Sequence, residues 1–384
     1  MYYCFKKINI ASPFPTTQCG HISQTRELSD YKDNLFARVI SFKDDKNWLF
    51  HISADVLAIN REFRLQLQKT IREKLNNNNI NLITSATHTH YGNDINNIDY
   101  LKYLMEILIK GITAMQYQQI GEVKCTYSNM HTTAVGKSRI SGYETNLEYL
   151  NLITFYKNEN IPFLRIVVNN CHPTILHADV PFFSAEYPGY VLKLMEKENK
   201  NIDHSFMMGA SGDISSRFVR SGQKYENMVE LAERLFEEIK VLINRDGNKY
   251  PLKLDYHEVE VALEHEFIPI DLSAIRTDLT TRELETIRYG QIVRAQLKQS
   301  NDIIKKANLA SWNLGAVKIV FVPNEIFSAY MSPLDLSKTI LVSYSNGYGP
   351  YILPIGFPYL TYEMFTDTLT VQTKEKLMKI ISTI

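Results

Sequence analysis

The stretch "ITSATHTHYG", residues 83–92, places two histidines two positions apart at the end of an apolar run. An apolar run of this length, rich in β-branched residues, is typical of a buried β-strand. Side chains two apart on a strand point to the same side of the sheet. We therefore expect His88 and His90 to face one pocket, with Thr87 and Thr89 on the other side. By itself an H-x-H pair fits two metal ligands, one ligand beside an acid or base, or two histidines satisfied by hydrogen bonds.

Strand and helix patterns alternate on both sides of this stretch. "LFARVISF" and "NWLFHISADVLAI" have the composition of strands, whereas "REFRLQLQKTIREKLN" and "NMVELAERLFEEIKVLINR" have helical spacing. "LEYLNLITFY" and "IPFLRIVVNNC" predict a hairpin around "KNEN". The sequence therefore predicts an α/β fold with mixed β-sheets flanked by helices.

Composition narrows the class of protein. The 384 residues are 45% hydrophobic and 22% charged, with a formal net charge of +0, so nothing favours a nucleic-acid partner. No run of 18 apolar residues predicts a membrane span, and the first residues lack the pattern of a signal peptide. The four cysteines are scattered without metal-like spacing, so we expect reduced thiols and a cytoplasmic location. The oligomeric state is not indicated.

Four apolar strands run directly into polar residues. "LITSAT" leads to the histidine pair, "LRIVVNNC" to His172, "FMMGA" to "SGDISS", and "VKIVFVP" to Asn324 and Glu325. Ligands collect outside one end of the strands in sheets flanked by helices, so these segments are expected to converge on one pocket. Polar residues also follow strands simply because loops are solvated, and for any single strand that explanation suffices.

Two kinds of chemistry follow from these segments. Zinc takes about three protein ligands of nitrogen, sulfur or oxygen type, and the histidines with Glu325 supply such a set. In "GASGDISS", residues 209–216, small residues permit a sharp turn whose N–H groups can hold an anion or oxyanion. Ser215 is a candidate nucleophile, although it lacks the G-x-S-x-G elbow and such a turn is often only a turn.

Together these motifs resemble the zinc-dependent catalytic domain of the neutral/alkaline non-lysosomal ceramidase family. The resemblance runs in matching order from about Phe5 to Phe365. The segments that carry it are "KKINIASPFP", "DNLFARVISF", "HISADVLAI", "SATHTH", "VVNNCHPTIL" with "SAEYPGYV", "GASGDISS", "VPNE" and "YSNGYGPYILP" with a following "YE".

This resemblance implies particular roles. Zinc (Zn2+) would be held by His88, His172, Glu325 and Tyr351, with His90 beside the metal as an acid/base residue. The other catalytic residues implied are Ser215 as the catalytic serine, Tyr362 as a hydrogen-bond donor in the transition state, and Arg139, in "GKSRISG", as a substrate contact.

The chain also departs from the family pattern. Tyr91 follows the histidines where members often have serine, Ser216-Arg217 follows Ser215 in place of Pro-Asn, and Asn324 replaces a glycine. We expect residues 1–384 to form a single catalytic domain without the family's C-terminal β-sandwich domain. The resulting prediction is a zinc-dependent amide hydrolase acting on a small or soluble N-acyl substrate rather than ceramide. Alternatives are an amide-forming condensation enzyme with the same zinc site, an esterase, or a non-catalytic metal-binding scaffold.

Overall fold

Strands and helices alternate through the computed structural model, which describes residues 1–20, 26–158, 160–272, 279–299 and 305–384. The helices are α1 Arg61–Lys74, α2 Ile98–Thr113, α3 Glu186–Glu198, α4 Tyr225–Ile243, α5 Thr281–Gln299, α6 Tyr362–Thr366 and α7 Val371–Thr383. The strands are β1 Tyr2–Asn9, β2 Phe36–Lys43, β3 Trp48–Ala54, β4 Ile80–Ala86, β5 Gln118–Gln119, β6 Val123–His131, β7 Lys137–Ser138, β8 Tyr149–Lys157, β9 Ile161–Asn169, β10 Asp203–Met208, β11 Ile214–Ser215, β12 Tyr250–Pro251, β13 Asp255–Ala262, β14 Lys306–Asn313, β15 Lys318–Phe321, β16 Asn324–Ile326, β17 Thr339–Val342 and β18 Gly349–Ile352.

Three larger sheets contain both parallel and antiparallel pairs, which confirms the predicted mixed α/β class. Their strand orders are β4-β3-β2-β1-β5, β10-β9-β8-β6-β12 and β13-β14-β15-β17. Each has one parallel pair at its end, namely β3–β4, β9–β10 and β15–β17. Two small pairs, β7–β11 and the parallel β16–β18, lie beside them.

The three sheets meet in an aromatic core. Phe42 of β2 stacks on Phe155 of β8 with ring centroids 5.6 Å apart, and it contacts Trp312 of β14 at 6.1 Å. All three side chains are almost completely buried. Each such burial stabilises the fold by about 1.5–3 kcal/mol, so this core fixes the sheets relative to one another.

Helices cover the outer faces of the first two sheets. The helices α1 and α2 contact β4 and β1, and α3 and α4 contact β10 and β8. Their apolar faces join one large buried cluster with the strands beneath them. None of the described helices is both long enough and apolar enough to cross a membrane.

The parallel pairs bring their strand ends together. Single β-bridges join Ser85 in β4 to Ser345, Gly209 to Val342 in β17, and His172 to Ser215 in β11. The ends of β4, β10 and β17 are therefore connected directly, and the segment after β9 is connected to β11. The predicted hairpin of β8 and β9 is present, and residue 159 in its loop lies outside the described residues. The sequence interpretation missed β6 and α7.

Candidate metal and catalytic site

Three predicted metal-binding side chains meet beyond the strand ends. The Nε2 atom of His172 lies 3.2 Å from Oε2 of Glu325, and Nε2 of His88 lies 3.6 Å from the same oxygen. All three residues are buried. The segments after β4, β9 and β15 therefore supply one compact group of nitrogen and oxygen donors.

The two histidines of the opening stretch face each other for a reason different from the one predicted. β4 ends at Ala86, and His88 has a left-handed backbone with φ of +61°, so strand alternation does not apply. The turn nevertheless places Nε2 of His90 3.4 Å from Nε2 of His88. A left-handed non-glycine residue is uncommon and persists only where its surroundings hold it, often at a functional site.

Backbone carbonyls fix the orientation of two imidazoles. His88 Nδ1 lies 2.8 Å from the carbonyl oxygen of Leu57, and His172 Nδ1 lies 2.6 Å from that of Ser211. A carbonyl oxygen only accepts, so each Nδ1 carries a proton and each Nε2 is the ring nitrogen turned toward the site. This carbonyl-oriented arrangement is usual for metal-binding histidines.

Two tyrosines orient the Glu325 carboxylate. The Tyr348 hydroxyl donates to Oε1 at 2.7 Å, and the Tyr344 hydroxyl lies 3.5 Å from Oε2. Burial raises the pKa of Glu325, but the neighbouring imidazoles of His88 and His172 outweigh it and hold that pKa well below its usual range. Burial and the charge of a nearby arginine lower the pKa of His172 to about 4. At neutral pH the carboxylate is charged and His172 is neutral, as metal ligands must be.

Tyr344 and Tyr348 are site residues that the sequence did not identify, although the segment "YSNGYGPYILP" is rich in tyrosine. The Tyr344 ring stacks on the His88 ring, with centroids 3.7 Å apart and planes at 10°. Tyr344 and Asn346 have left-handed backbones, and this winding brings two tyrosines to the site besides Tyr351. The high tyrosine content of this segment is the only sequence feature that points to Tyr344 and Tyr348.

Tyr351 and Arg139 lie at the edge of the donor group. The Tyr351 hydroxyl is 3.4 Å from Nε2 of His172 and accepts from Nη2 of Arg139 at 3.0 Å. Nη2 of Arg139 also donates to the Gly212 carbonyl and pairs with Glu363, each at 2.7 Å. Burial raises the pKa of Tyr351 well above its usual value, against the opposing charge of Arg139. Arg139 thus links the serine turn to the predicted fourth ligand.

The geometry allows a second ligand set. The ring nitrogens of His88, His90 and His172 lie within 4.8 Å of one another, close enough to hold one metal ion. In this set His90 is a ligand, whereas the sequence interpretation placed it beside the metal. The two sets share His88 and His172 and differ in the remaining donors.

Ser215 lies next to His172 on the serine turn. It forms a parallel bridge with His172, is 6% exposed, and its hydroxyl accepts the Arg217 N–H at 3.4 Å. Of the turn N–H groups that could hold an oxyanion, that of Gly212 donates instead to the carbonyl of Ile326 at 2.9 Å. The Asp213 carboxylate accepts from the backbone N–H and the hydroxyl of Ser328, which anchors the turn.

A cavity of about 630 Å³ opens above these groups. Its size is ordinary for a small-molecule site. Tyr362 lies in its wall between Tyr351 and Tyr289, with ring centroids 6.2 Å from each. The predicted site residues that line it are His90, Arg139, Ser215, Glu325, Tyr351 and Tyr362.

Charged residues form the outer wall of the cavity. Arg217 and Arg220 lie on the side of the serine turn, and Glu283 and Glu285 belong to α5 opposite. Nη2 of Arg217 lies 3.3 Å from Oε1 of Glu283, so an ion pair joins the two sides. The wall therefore carries charged side chains, one pair of them joined, among a larger apolar and aromatic lining.

The chain thus has a mixed α/β fold with a buried histidine and carboxylate group beneath a cavity. Two solved ceramidase structures have a similar fold. A neutral ceramidase from Pseudomonas aeruginosa matches with a TM-score of 0.77 and 14% sequence identity, covering 99% of this chain and 73% of that chain. A ceramidase complexed with C2 matches with a TM-score of 0.76 and 13% identity, covering 99% and 74%. No protein-family model and no curated protein matches the sequence. These comparisons establish a neutral-ceramidase-like fold.

Proposed function

We propose that the protein is a zinc-dependent hydrolase that cleaves the amide bond of a small N-acyl compound. The observation that carries the proposal is the donor group of His88, His172 and Glu325 at the base of the cavity. The shared fold supports it, because ceramidases are amide hydrolases.

The donor spacing fits a zinc ion. Tetrahedral zinc with bonds of about 2.0–2.1 Å places neighbouring ligands roughly 3.3–3.4 Å apart. Here Oε2 of Glu325 lies 3.2 Å from Nε2 of His172 and 3.6 Å from Nε2 of His88. The Tyr351 hydroxyl oxygen lies 3.4 Å from Nε2 of His172. The carbonyl-bound Nδ1 atoms and the charged carboxylate further suit metal binding.

Tyr351 is our preferred fourth ligand, and His90 is the alternative. The Arg139 guanidinium beside the Tyr351 hydroxyl would stabilise its deprotonated form. His90 lines the cavity, where its ring can exchange protons with a substrate. This division of roles leaves one imidazole for acid–base chemistry.

When bound, zinc supplies Lewis-acid polarisation of the substrate carbonyl. Ser215, on the cavity wall beside His172, either attacks that carbonyl or holds the substrate against it. His90 accepts the proton of the attacking group, which is either the Ser215 hydroxyl or a water molecule, and passes it to the leaving amine. Where Ser215 attacks, a water molecule then hydrolyses the acyl-serine and frees the acid. Burial raises the pKa of Tyr362, so its hydroxyl stays protonated and can donate to the developing oxyanion together with Arg139.

The substrate class is inferred from the cavity wall. Arg217, Arg220, Glu283 and Glu285 bring charge to a lining that is otherwise largely apolar and aromatic, so a compound with a short acyl group and a polar amine part can contact both kinds of surface. We therefore propose a soluble substrate rather than membrane ceramide. The cytoplasmic location and the single catalytic domain over residues 1–384 stay predictions.

Hydrolysis of short N-acyl amines and N-acyl amino acids by the purified protein, before and after chelation, tests the proposal. We expect one zinc per chain, activity lost on chelation and activity restored by zinc. Full activity of metal-free protein would contradict the zinc assignment. Hydrolysis of long-chain ceramide in vesicles as fast as the best short substrate would contradict the substrate class.

A further inference from the structure

The segment that begins α3, residues 184–187, contacts the first histidine segment although it does not line the cavity. The Ser184 N–H donates to the carbonyl of Tyr91 at 3.0 Å. The Ser184 carbonyl accepts from the Thr89 hydroxyl at 2.8 Å. Thr89 and Tyr91 flank His90 in the chain, so Ser184 holds the backbone on both sides of that histidine.

Glu186 joins this segment to the loop that follows His172. Its Oε1 accepts the backbone N–H groups of Ile175 and Leu176, the latter at 3.1 Å. Its Oε2 accepts the Tyr187 N–H at 2.8 Å, and its own N–H donates to the Ser184 hydroxyl at 3.0 Å. The Glu186 residue therefore links the loop after His172 to Ser184, which in turn holds the segment of His90.

Further bonds close the same network. The Tyr187 hydroxyl donates to the carbonyl of Cys171 at 2.6 Å, immediately before His172. The Tyr91 hydroxyl donates to the carbonyl of Leu176. The loop around His172 is thus held before and after the histidine, and it also bonds directly to the segment of His90.

Glu186 combines an unfavourable backbone conformation with a buried carboxylate. It has a left-handed backbone, with φ of +55°, and its side chain is completely buried. Burial raises its pKa to about 7, although the N–H groups of Tyr187, Leu176 and Ile175 oppose that rise. Such a combination of strain and buried charge persists where neighbouring structure depends on it.

We propose that Glu186 is a positioning residue that keeps the His88–His90 segment and the His172 segment at their mutual spacing through Ile175, Leu176 and Ser184. The inference rests on the proposed function, because the groups that are positioned are the proposed metal donors. Glu186 itself contacts none of their side chains.

Two variants of Glu186 and one matched control test this role. Glu186→Ala removes the acceptor, whereas Glu186→Gln keeps one oxygen for Ile175 and Leu176 but turns an amide N–H toward the Tyr187 N–H. Glu258→Gln makes the same chemical change in another carboxylate, which binds Arg64, Tyr256 and Asn308. It controls for the loss of a hydrogen-bonded carboxylate charge elsewhere, at a residue that is itself exposed but pairs with the buried Arg64.

Metal affinity and hydrogen exchange are the measurements. We expect Glu186→Ala to weaken zinc binding by about 10–100-fold and to alter the visible spectrum of bound Co²⁺, with Glu186→Gln intermediate. We also expect exchange in the peptide over residues 83–92 to rise at least tenfold in Glu186→Ala. Glu258→Gln should match the parent in both measurements.

The outcomes separate this inference from the proposed function. Parental zinc affinity, Co²⁺ spectrum and exchange over residues 83–92 in folded Glu186→Ala would overturn the inference and leave the metal site intact. Faster exchange confined to the loop after His172 would also overturn it, because the coupling would be absent. A parent protein that binds no metal would overturn the proposed function, and the exchange data would still decide the role of Glu186. If Glu186→Ala does not fold, Glu186→Gln decides by the same criteria.

Discussion

Replacing Gly212 by alanine tests whether the close approach of the serine turn to the Glu325 strand sets the site geometry. A Cβ atom at Gly212 would lie 2.8 Å from the carbonyl oxygen of Ile326 and 2.9 Å from that of Glu325. It would also lie 2.8 Å from Cδ1 of Phe327. The Gly212 backbone is not left-handed, so alanine is conformationally allowed there and the cost arises from crowding alone.

The size of the effect follows from these contacts. Reaching an ordinary contact of about 3.4 Å requires the two backbones to separate by roughly 0.5 Å. Overpacking of this kind costs about 1–3 kcal/mol, and weakening the Gly212 bond to Ile326 adds about 1 kcal/mol. We expect the free energy of unfolding to fall by about 2–4 kcal/mol. Because the displaced strand carries Glu325, we also expect zinc affinity to fall by about 10–100-fold.

Denaturant unfolding and competitive zinc chelation measure the two effects. Gly247→Ala is the matched control, because its Cβ would approach only Thr126, at 3.8 Å, and the residue is exposed. It should leave both quantities unchanged. A Gly212→Ala protein within about 0.5 kcal/mol of the parent and with parental zinc affinity would refute the reasoning.

Three further predictions concern side chains. Ser215→Ala should lower turnover by roughly 10²-fold or more at unchanged zinc content, and near-parental turnover would mean that the serine only closes the turn. His172→Ala should lose most zinc while His90→Ala keeps zinc and loses turnover; equal zinc loss in both would make His90 a ligand. Burial lowers the pKa of His51 to about 3 from an ordinary 6.5, so between these values the unfolded chain binds a proton that the folded chain does not. Stability should therefore fall with falling pH in this window. In urea unfolding at pH 7, 6 and 5, His51→Gln should remove roughly 0.7 kcal/mol of the fall between pH 7 and 6 and about 1.2 kcal/mol of the fall between pH 6 and 5.

The alternation of strand and helix patterns was sufficient to predict the α/β class. The polar residues after four apolar strands predicted which segments come together, because the carboxyl ends of parallel strands share one edge of a sheet. The parallel pairs β3–β4 and β15–β17 place His88 and Glu325 at such edges. What the pattern could not supply was the packing of one sheet against another, which depends on distant residues such as Phe42 and Trp312.

The path of each loop was predicted less well than its location. Strand alternation placed His88 and His90 on one side, yet a left-handed turn at His88 brings them together. The N–H groups of the serine turn were predicted to be able to hold an oxyanion, but the Gly212 N–H is bonded to the carbonyl of Ile326 on a neighbouring strand. Both differences arise because the backbone after a strand adopts the conformation that its neighbours impose, and residue types in sequence do not specify those neighbours.

The same reasoning explains why the donors alone do not define the site. The carbonyl of Leu57 fixes the ring orientation of His88, and the carbonyl of Ser211 fixes that of His172. These contacts turn the Nε2 atom of each ring toward the site. Neither carbonyl has a signature in sequence, because every residue carries one. A chain that kept the histidines and Glu325 but lost these backbone positions would retain the motif without the geometry. The left-handed turn at His88 and the tight crossing at Gly212 are therefore as much a part of the site as its side chains, and substitutions there are expected to weaken metal binding without removing a ligand.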